Sequence, residues 1–324
     1  MRVPARGHLS KCCLAILLNP LGGRTTHVVG LGALSWHSQR MLAYRHAFHA
    51  GNHADVLKHL CLVAVLRHMN LKDKGYRYVD THAGAGGYSL QGDYANKRGE
   101  YLQGIARLLA RDDMPAAVAD YVTHVRRFNP GGELVQYPGS PAIAQMLLRT
   151  QDQMRLSELH PTDHKILASY LGDAIGAEVL MADGFATLKR HLPPPQRRGV
   201  LLIDPSYEMK TDYGRVLAAL REALALFADG TVMVWLPQLQ LLEAAQLPQR
   251  LKASASGVAK KGWLHARLTV CGGGERGFGL LGSSLFITNP PHTLAPMLRS
   301  TLPWLEQVLG QDGHAGWAVE TSGA

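Results

Sequence analysis

Residues 201–214 read LLIDPSYEMKTDYG. An apolar run, the pattern of a buried strand, ends in Asp204-Pro205-Ser206-Tyr207. A simple turn does not need the tyrosine, whereas a site that grips a flat, nitrogen-rich ring needs an exposed aromatic beside an acceptor. Working outward, short runs rich in Val, Ile and Leu alternate with longer helical patterns, the signature of βαβ units and a parallel sheet. The pattern predicts strands near 76–80, 154–158, 178–183, 200–204, 231–236, 264–270 and 284–288. It predicts helices over 54–72, 141–151, 162–174, 212–228 and 295–309. The expected architecture is therefore α/β and Rossmann-like, with a mostly parallel sheet of seven strands and the last strand antiparallel.

Residues 81–153 separate the first two predicted strands, where a crossover needs about a dozen residues. Within this gap "GEYLQGIARLLA" and "AAVADYVTHVRRF" have helical patterns of their own, so residues 90–135 read as a small inserted helical subdomain. Its Arg107, Arg111, Arg126 and Arg127 suit either a nucleic acid or a solvated helix face.

The first four strands each finish near an acid: Asp80, Glu158, Asp183 and Asp204. In open α/β sheets, ligands bind outside the carboxyl ends of the strands, so four acids in register point to one site. After the first strand, Gly84, Gly86 and Gly87 allow a tight turn and close backbone approach to a ligand. They do not form a G-x-G-x-x-G, and the chain has no GK[ST] of a P-loop. Glu158 is placed where a carboxylate accepts both hydroxyls of a ribose, and Asp183-Gly184 where an acid accepts from an adenine amino group. A second box, Asn289-Pro290-Pro291-His292, matches N-P-P by letters, but follows the antiparallel strand and so falls at the opposite edge of the sheet. Histidines 46, 49, 53, 59 and 82 have no cysteine at useful spacing, and a closed zinc site is not expected.

Apolar content of 46% and charged content of 18% suit one large soluble domain plus a modest insertion in 324 residues. The four cysteines (Cys12, Cys13, Cys61, Cys271) lack CxxC spacing and read as reduced thiols of a cytoplasmic protein. The net charge is +9, but residues 1–40 hold five basic residues and no acid, leaving +4 for residues 41–324. A mildly basic body is compatible with nucleic acid without being diagnostic. The run Cys12–Leu18 is too short to span a membrane, and no membrane partner is expected. Composition shifts at Met41, so residues 1–40 read as a non-essential extension, or as the product of an upstream start.

The strand-end acids resemble those of class I S-adenosylmethionine-dependent methyltransferases. Asp204-Pro205-Ser206-Tyr207 resembles the (D/N/S)-P-P-(Y/F) box of enzymes that methylate exocyclic amines. An adenine amino nitrogen is a poor nucleophile because its lone pair is delocalised into the ring. Asp204 and the Pro205 carbonyl would accept its two protons and free the lone pair, and Tyr207 would stack on a base taken out of its helix. Ser206 departs from the box's second proline.

With "YRHAFHAGNHADVLKH" (44–59), "DTHAGAGGY" (80–88), "YPGSP" (137–141), "SELHP" (157–161), "ADGF" (182–185) and "IDPSYEMKTDY" (203–213), the chain resembles the RlmJ family, bacterial methyltransferases of one adenine N6 in 23S ribosomal RNA. The resemblance implies S-adenosyl-L-methionine as cofactor, contacted by Lys58, His59, His82, Ser140, Glu158, Asp183, Gly184 and Asp204. It makes Asp204 the catalytic residue and puts Tyr44, Pro205 and Tyr207 on the RNA. It implies a monomer acting on 23S ribosomal RNA, free or in an early large-subunit assembly intermediate. The helical insertion is a family feature; "GGGERGFGLLGSS" (272–284) departs from the pattern. Methylation of DNA adenine or protein glutamine, or an inactive RNA-binding protein on the same scaffold, are the alternatives.

Overall fold

The computed structural model describes residues 46–91, 99–172, 174–273 and 279–322. The expected extension 1–40 and Tyr44 lie outside the described residues. Ten strands follow in chain order among them: β1 (Arg77–Asp80), β2 (Gly87–Ser89), β3 (Gln136–Pro138), β4 (Gln153–Ser157), β5 (Ala177–Leu180), β6 (Gly199–Ile203), β7 (Thr231–Gln238), β8 (Trp263–Thr269), β9 (Gly282–Thr288) and β10 (Gly316–Thr321). The α-helices are α1 (His53–Met69), α2 (Ile105–Leu109), α3 (Ala116–Arg127), α4 (Ser140–Leu147), α5 (Pro161–Leu171), α6 (Leu188–His191), α7 (Lys210–Leu226), α8 (Leu242–Ala255) and α9 (Leu294–Leu309).

The main sheet runs in the order β10-β8-β9-β7-β6-β1-β4-β5. β5, β4, β1, β6 and β7 are parallel, and β9 runs antiparallel to β7 and β8. The sheet has eight strands where seven were expected. The extra one, β10, pairs antiparallel with β8 at the edge. Its residues are half-buried or exposed, so neither an apolar run nor a clean alternation marks it in the sequence. Helix α8 also escaped the pattern, because Pro248 interrupts it.

The run that opened the sequence reading is buried on both faces. Val200 and Leu202 of β6 join one core with α1, β4 and α9, while Leu201 and Ile203 join the other with α7 and α8. This follows from the period of two in a strand covered by helices on both sides, and each such side chain contributes about 1.5–3 kcal/mol. Helix α1 is buried almost all round, against β9, α4 and α3. β2 and β3, which flank residues 90–135 in the sequence, form a separate antiparallel pair, Gly87 opposite Pro138. Within that segment Ile105, Leu108, Val118, Tyr121 and Val125 are buried in the same core as α1. Arg107 donates to the carbonyls of Val308 and Gly310, and Arg111 pairs with Asp113. No described helix is long and apolar enough to cross a membrane.

Asn289 sits where β9 ends, beside the start of β7 and away from Asp204. It has φ +48°, and its buried carboxamide closes the turn before β7. The oxygen accepts from Lys261 N at 2.8 Å, and Nδ2 donates to the carbonyls of Ala228 and Gly230, each at 2.7 Å. The N-P-P box is thus a structural clamp. Asn289→Ala removes three hydrogen bonds and puts a residue without asparagine's tolerance at positive φ. It is expected to lower unfolding free energy by about 2–4 kcal/mol, read as a reduced urea midpoint at unchanged slope.

Candidate active site

The carboxyl ends of the parallel strands open onto one cavity of about 610 Å³, lined by Glu158, Asp183 and Asp204 among others. Asp80, the fourth strand-end acid, is fully buried behind the wall. Its carboxylate accepts from Ser140 Oγ at 2.6 Å, Tyr78 Oη at 2.7 Å and His82 N at 3.2 Å. It therefore brackets two wall residues that the sequence motifs had placed on the ligand. Burial raises its pKa, against the hydrogen bonds from Ser140 and Tyr78.

Glu158 follows β4 and ties the glycine turn to the next helix. Its two oxygens accept from Gly84 N at 2.7 Å and His160 N at 2.6 Å. Gly84 has φ +62°, and a Cβ there would collide with the Tyr88 hydroxyl. Gly184 is required by a different contact: a Cβ would strike the Thr81 carbonyl oxygen, so two strand-end backbones touch there. Asp183 accepts from Phe185 N at 3.1 Å and pairs with Arg215 of α7. The Arg215 guanidinium lies over the Phe185 ring at 4.4 Å, and that ring meets His82 edge-on at 4.8 Å. Burial lowers the His82 pKa to about 4, leaving a neutral ring. Arg215 and Phe185 were not anticipated; the ADGF motif contains Phe185, but no local pattern marks Arg215.

Helix α1 delivers the other wall. Asn52 caps it, accepting from Ala54 N at 2.9 Å and Asp55 N at 3.0 Å. Asp55 and Lys58 are then three residues apart on one face. The Lys58 ammonium bridges Asp204 Oδ2 at 2.6 Å and Asp55 Oδ1 at 2.8 Å. Asp55 Oδ2 in turn meets His46 Nε2 at 2.9 Å and accepts from Gly51 N at 2.9 Å. Burial works against the Lys58 charge, but Asp204 and Asp55 outweigh it and raise its pKa above the ordinary lysine value. For Asp55, burial is outweighed by His46 and Lys58, and its pKa lies well below the usual carboxylate range. His59, one residue on, is buried with Nδ1 2.7 Å from the Tyr137 hydroxyl. His49 reaches Glu100 at 2.9 Å. Among the described residues, no group of three or more His, Cys, Asp or Glu is arranged to hold a metal ion.

The Asp-Pro box differs from expectation at its aromatic. Pro205 and Ser206 line the cavity, but Tyr207 is buried instead of exposed. Its φ of +55° turns the side chain back beneath the loop, where its hydroxyl donates to the Trp235 carbonyl at 2.7 Å. The ring packs on Tyr213 and Trp235, at 4.9 and 5.8 Å. The end of β7 offers both an acceptor and an apolar surface, so the hydroxyl is satisfied inside. Trp235 lines the cavity instead, its ring 6.0 Å from the Lys58 ammonium. Thus His59, His82, Ser140, Glu158, Asp183, Gly184, Lys58, Asp204 and Pro205 come together on one cavity, Tyr207 supports it from behind, and Tyr44 lies outside the described residues.

The sequence profile described as "Ribosomal RNA large subunit methyltransferase D, RlmJ" matches residues 73–321. Ribosomal RNA large subunit methyltransferase J of Escherichia coli (strain K12) is 44% identical over 283 residues, covering 86% of this chain and 99% of that protein. Its namesake of Haemophilus influenzae is 42% identical over 281 residues, covering 86% and 98%. Among solved structures, protein LPL1258 of Legionella pneumophila superposes with a TM-score of 0.77 at 32% identity, covering 84% of this chain and 98% of that one.

Proposed function

Because the chain belongs to the RlmJ family of ribosomal RNA large subunit methyltransferases, we propose that it transfers a methyl group from S-adenosyl-L-methionine to the N6 amine of one adenine in 23S ribosomal RNA. The observation that carries this reading is a single cavity lined by Glu158, Asp183 and Asp204, with Asp204 pinned by a buried lysine.

The wall fits that cofactor. Its backbone approaches closely at Gly84 and Gly184, and it holds a buried polar atom without a partner, His59 Nε2. Glu158 would hold the ribose, since each oxygen keeps a lone pair beyond its backbone bond. Asp183 would hold the adenine amine, with Phe185 and His82 against the ring, and Ser140 and His59 would take the remaining polar end. Bound there, the cofactor supplies an electrophilic methyl group on a sulfonium.

The chain's own residues prepare the nucleophile. Lys58 holds Asp204 Oδ2, leaving Oδ1 to accept one amine hydrogen while the Pro205 carbonyl accepts the other. This draws the nitrogen out of conjugation and aims its lone pair. The Asp204 carboxylate, which accepts one amine hydrogen, would also take the proton that the methylated nitrogen loses. Trp235 offers the aromatic surface for the extruded base, with Tyr207 packed behind it. Extrusion costs a few kcal/mol from a stacked helix, which favours an unpaired or weakly stacked target.

The test is a purified protein with tritiated S-adenosylmethionine and four acceptors: a 23S ribosomal RNA transcript, early assembly particles, DNA of the same sequence, and glutamine-containing peptides. Label is expected as N6-methyladenosine at one RNA position. Label on DNA, or on glutamine peptides, would replace the RNA reading. RNA binding without cofactor binding would identify an inactive scaffold. A protein starting at Met41 is expected to turn over within about twofold of the full chain, a change in barrier of less than ~0.5 kcal/mol, since every residue proposed for the site lies beyond position 41. A tenfold loss would assign residues 1–40 a role.

A further inference from the structure

A buried relay behind the cavity wall ends in two tyrosines that have no place in the chemistry above. His59 Nδ1 lies 2.7 Å from Tyr137 Oη, which lies 2.8 Å from Tyr121 Oη. All three residues are buried, and neither tyrosine lines the cavity. Tyr137 is on β3 and Tyr121 on α3, within the segment between β1 and β4. Among the described residues the partner of the Tyr121 hydroxyl is Tyr137 Oη, and His59 Nε2 is buried with none.

Two proton arrangements run the hydrogen bonds in one direction along the relay; a third, with Tyr137 accepting from both neighbours, strands the Tyr137 hydrogen in the core. In the first, Tyr121 donates to Tyr137, Tyr137 donates to His59 Nδ1, and the imidazole hydrogen sits on Nε2. In the second, Nδ1–H donates to Tyr137 and Tyr137 donates to Tyr121. The Tyr121 hydrogen is then stranded in the core beside Val118, Val122 and Val125. The first arrangement leaves only the Nε2 hydrogen unmade, on a residue that lines the cavity, whereas the second strands both the Tyr121 hydrogen and the Nε2 lone pair. Unmade buried groups are costly, so the first arrangement prevails. Burial keeps the ring neutral, with a pKa near 3, and pushes both phenols above their ordinary range, so no charged form competes.

We propose that Tyr121 and Tyr137 are positioning residues that lock His59 as the Nε2–H tautomer, so that it donates to the carboxylate of the cofactor's methionine end. This rests on the methyltransferase reading. With Glu158 and Asp183 taking ribose and adenine, and Asp204 marking the methyl, the methionine end falls to the wall of His59, Gly84, Gly139 and Ser140. Lys58 is already bridged by two aspartates and is poorly placed to serve that carboxylate. Two buried tyrosines of the segment between β1 and β4 thereby tune cofactor affinity through one hydroxyl without themselves lining the cavity.

Two readouts test this. Two-bond 1H–15N spectra of the cofactor-free, 15N-histidine-labelled protein report the tautomer directly, the His59 signals being identified by their loss in His59→Asn. The wild type is expected to show Nε2–H. Tyr137→Phe removes the Nδ1 donor and is expected to give a tautomer mixture; Tyr121→Phe is expected to move part of the way. In calorimetry, Tyr137→Phe is expected to weaken S-adenosylmethionine about tenfold and decarboxylated S-adenosylmethionine less than about twofold, the difference of one hydrogen bond to a charged group. Nδ1–H in the wild type, or equal weakening of both compounds, would overturn the proposal. A wild type that shows Nε2–H yet binds no S-adenosylmethionine would instead overturn the methyltransferase reading and, with it, the assigned acceptor.

Discussion

Asp204→Asn is expected to slow single-turnover methyl transfer by about 10²–10³-fold, with S-adenosylmethionine affinity falling by no more than about tenfold. The substitution keeps size and one acceptor oxygen. It removes the charge that favours a pyramidal, developing ammonium nitrogen, and it points an N–H donor toward an amine that is itself a donor. Lys58 keeps Asp55 at 2.8 Å, so the wall is not left with an unpaired cation. The cofactor contacts proposed for Glu158, Asp183 and Ser140 lie elsewhere on the cavity, which confines the loss to the chemical step. Rapid-quench measurement with a 23S ribosomal RNA transcript, beside calorimetry with the cofactor, separates the two. A variant that methylates at the wild-type rate would remove Asp204 from catalysis.

Lys58→Met is expected to cost about 3–5 kcal/mol of folding free energy near neutral pH, the magnitude for breaking a buried ion pair from one side. The ammonium joins two carboxylates whose side chains are 2% and 15% exposed. His46 and Gly51 N still hold the other Asp55 oxygen, so the fold should survive in weakened form. The pH dependence follows from signs. In the wild type, the Asp55 pKa is depressed below its unfolded value. Its contribution is therefore present above the unfolded pKa and lost as pH falls through the folded one. Without Lys58, burial is opposed mainly by His46, and the folded pKa rises above its wild-type value. The penalty then applies above that raised value and is relieved as pH falls. Urea unfolding at pH 5 and pH 8 is expected to show the variant closing on the wild type at the lower pH. A pH-independent difference would mean that packing, not charge, accounts for the loss.

Much of the framework was readable from local pattern. The apolar runs that become β1, β4, β5, β6, β7, β8 and β9 are each one element long. Burial on both faces makes β6 and β7 nearly continuous in apolar residues, while β4, β5 and β8 interleave polar residues. Strand ends announce themselves because an acid or glycine interrupts such a run, as at Asp80, Glu158, Asp183 and Asp204. The topological position of the Asn289 box was equally accessible, since an antiparallel strand ends at the other edge.

What local pattern could not supply was direction and partnership. Tyr207 and Trp235 exchange the roles that letters suggest, because a positive φ and a carbonyl 28 residues away decide which ring faces the cavity. Asp80 carries the same letter as the acids of the wall but stands behind it, claimed by Ser140 and Tyr78. Lys58 meets Asp204 across 146 residues, and His59 meets Tyr137 across 78. By itself, then, the sequence determined seven of the main sheet's eight strands, their ends and the chemical types available at one edge of a sheet, because periodicity and chain breaks are local properties. The tertiary structure alone decided which groups face the cavity, which of them are paired and which hydrogen is held where. Those outcomes are set by burial and hydrogen bonding between segments whose separation in sequence carries no such information.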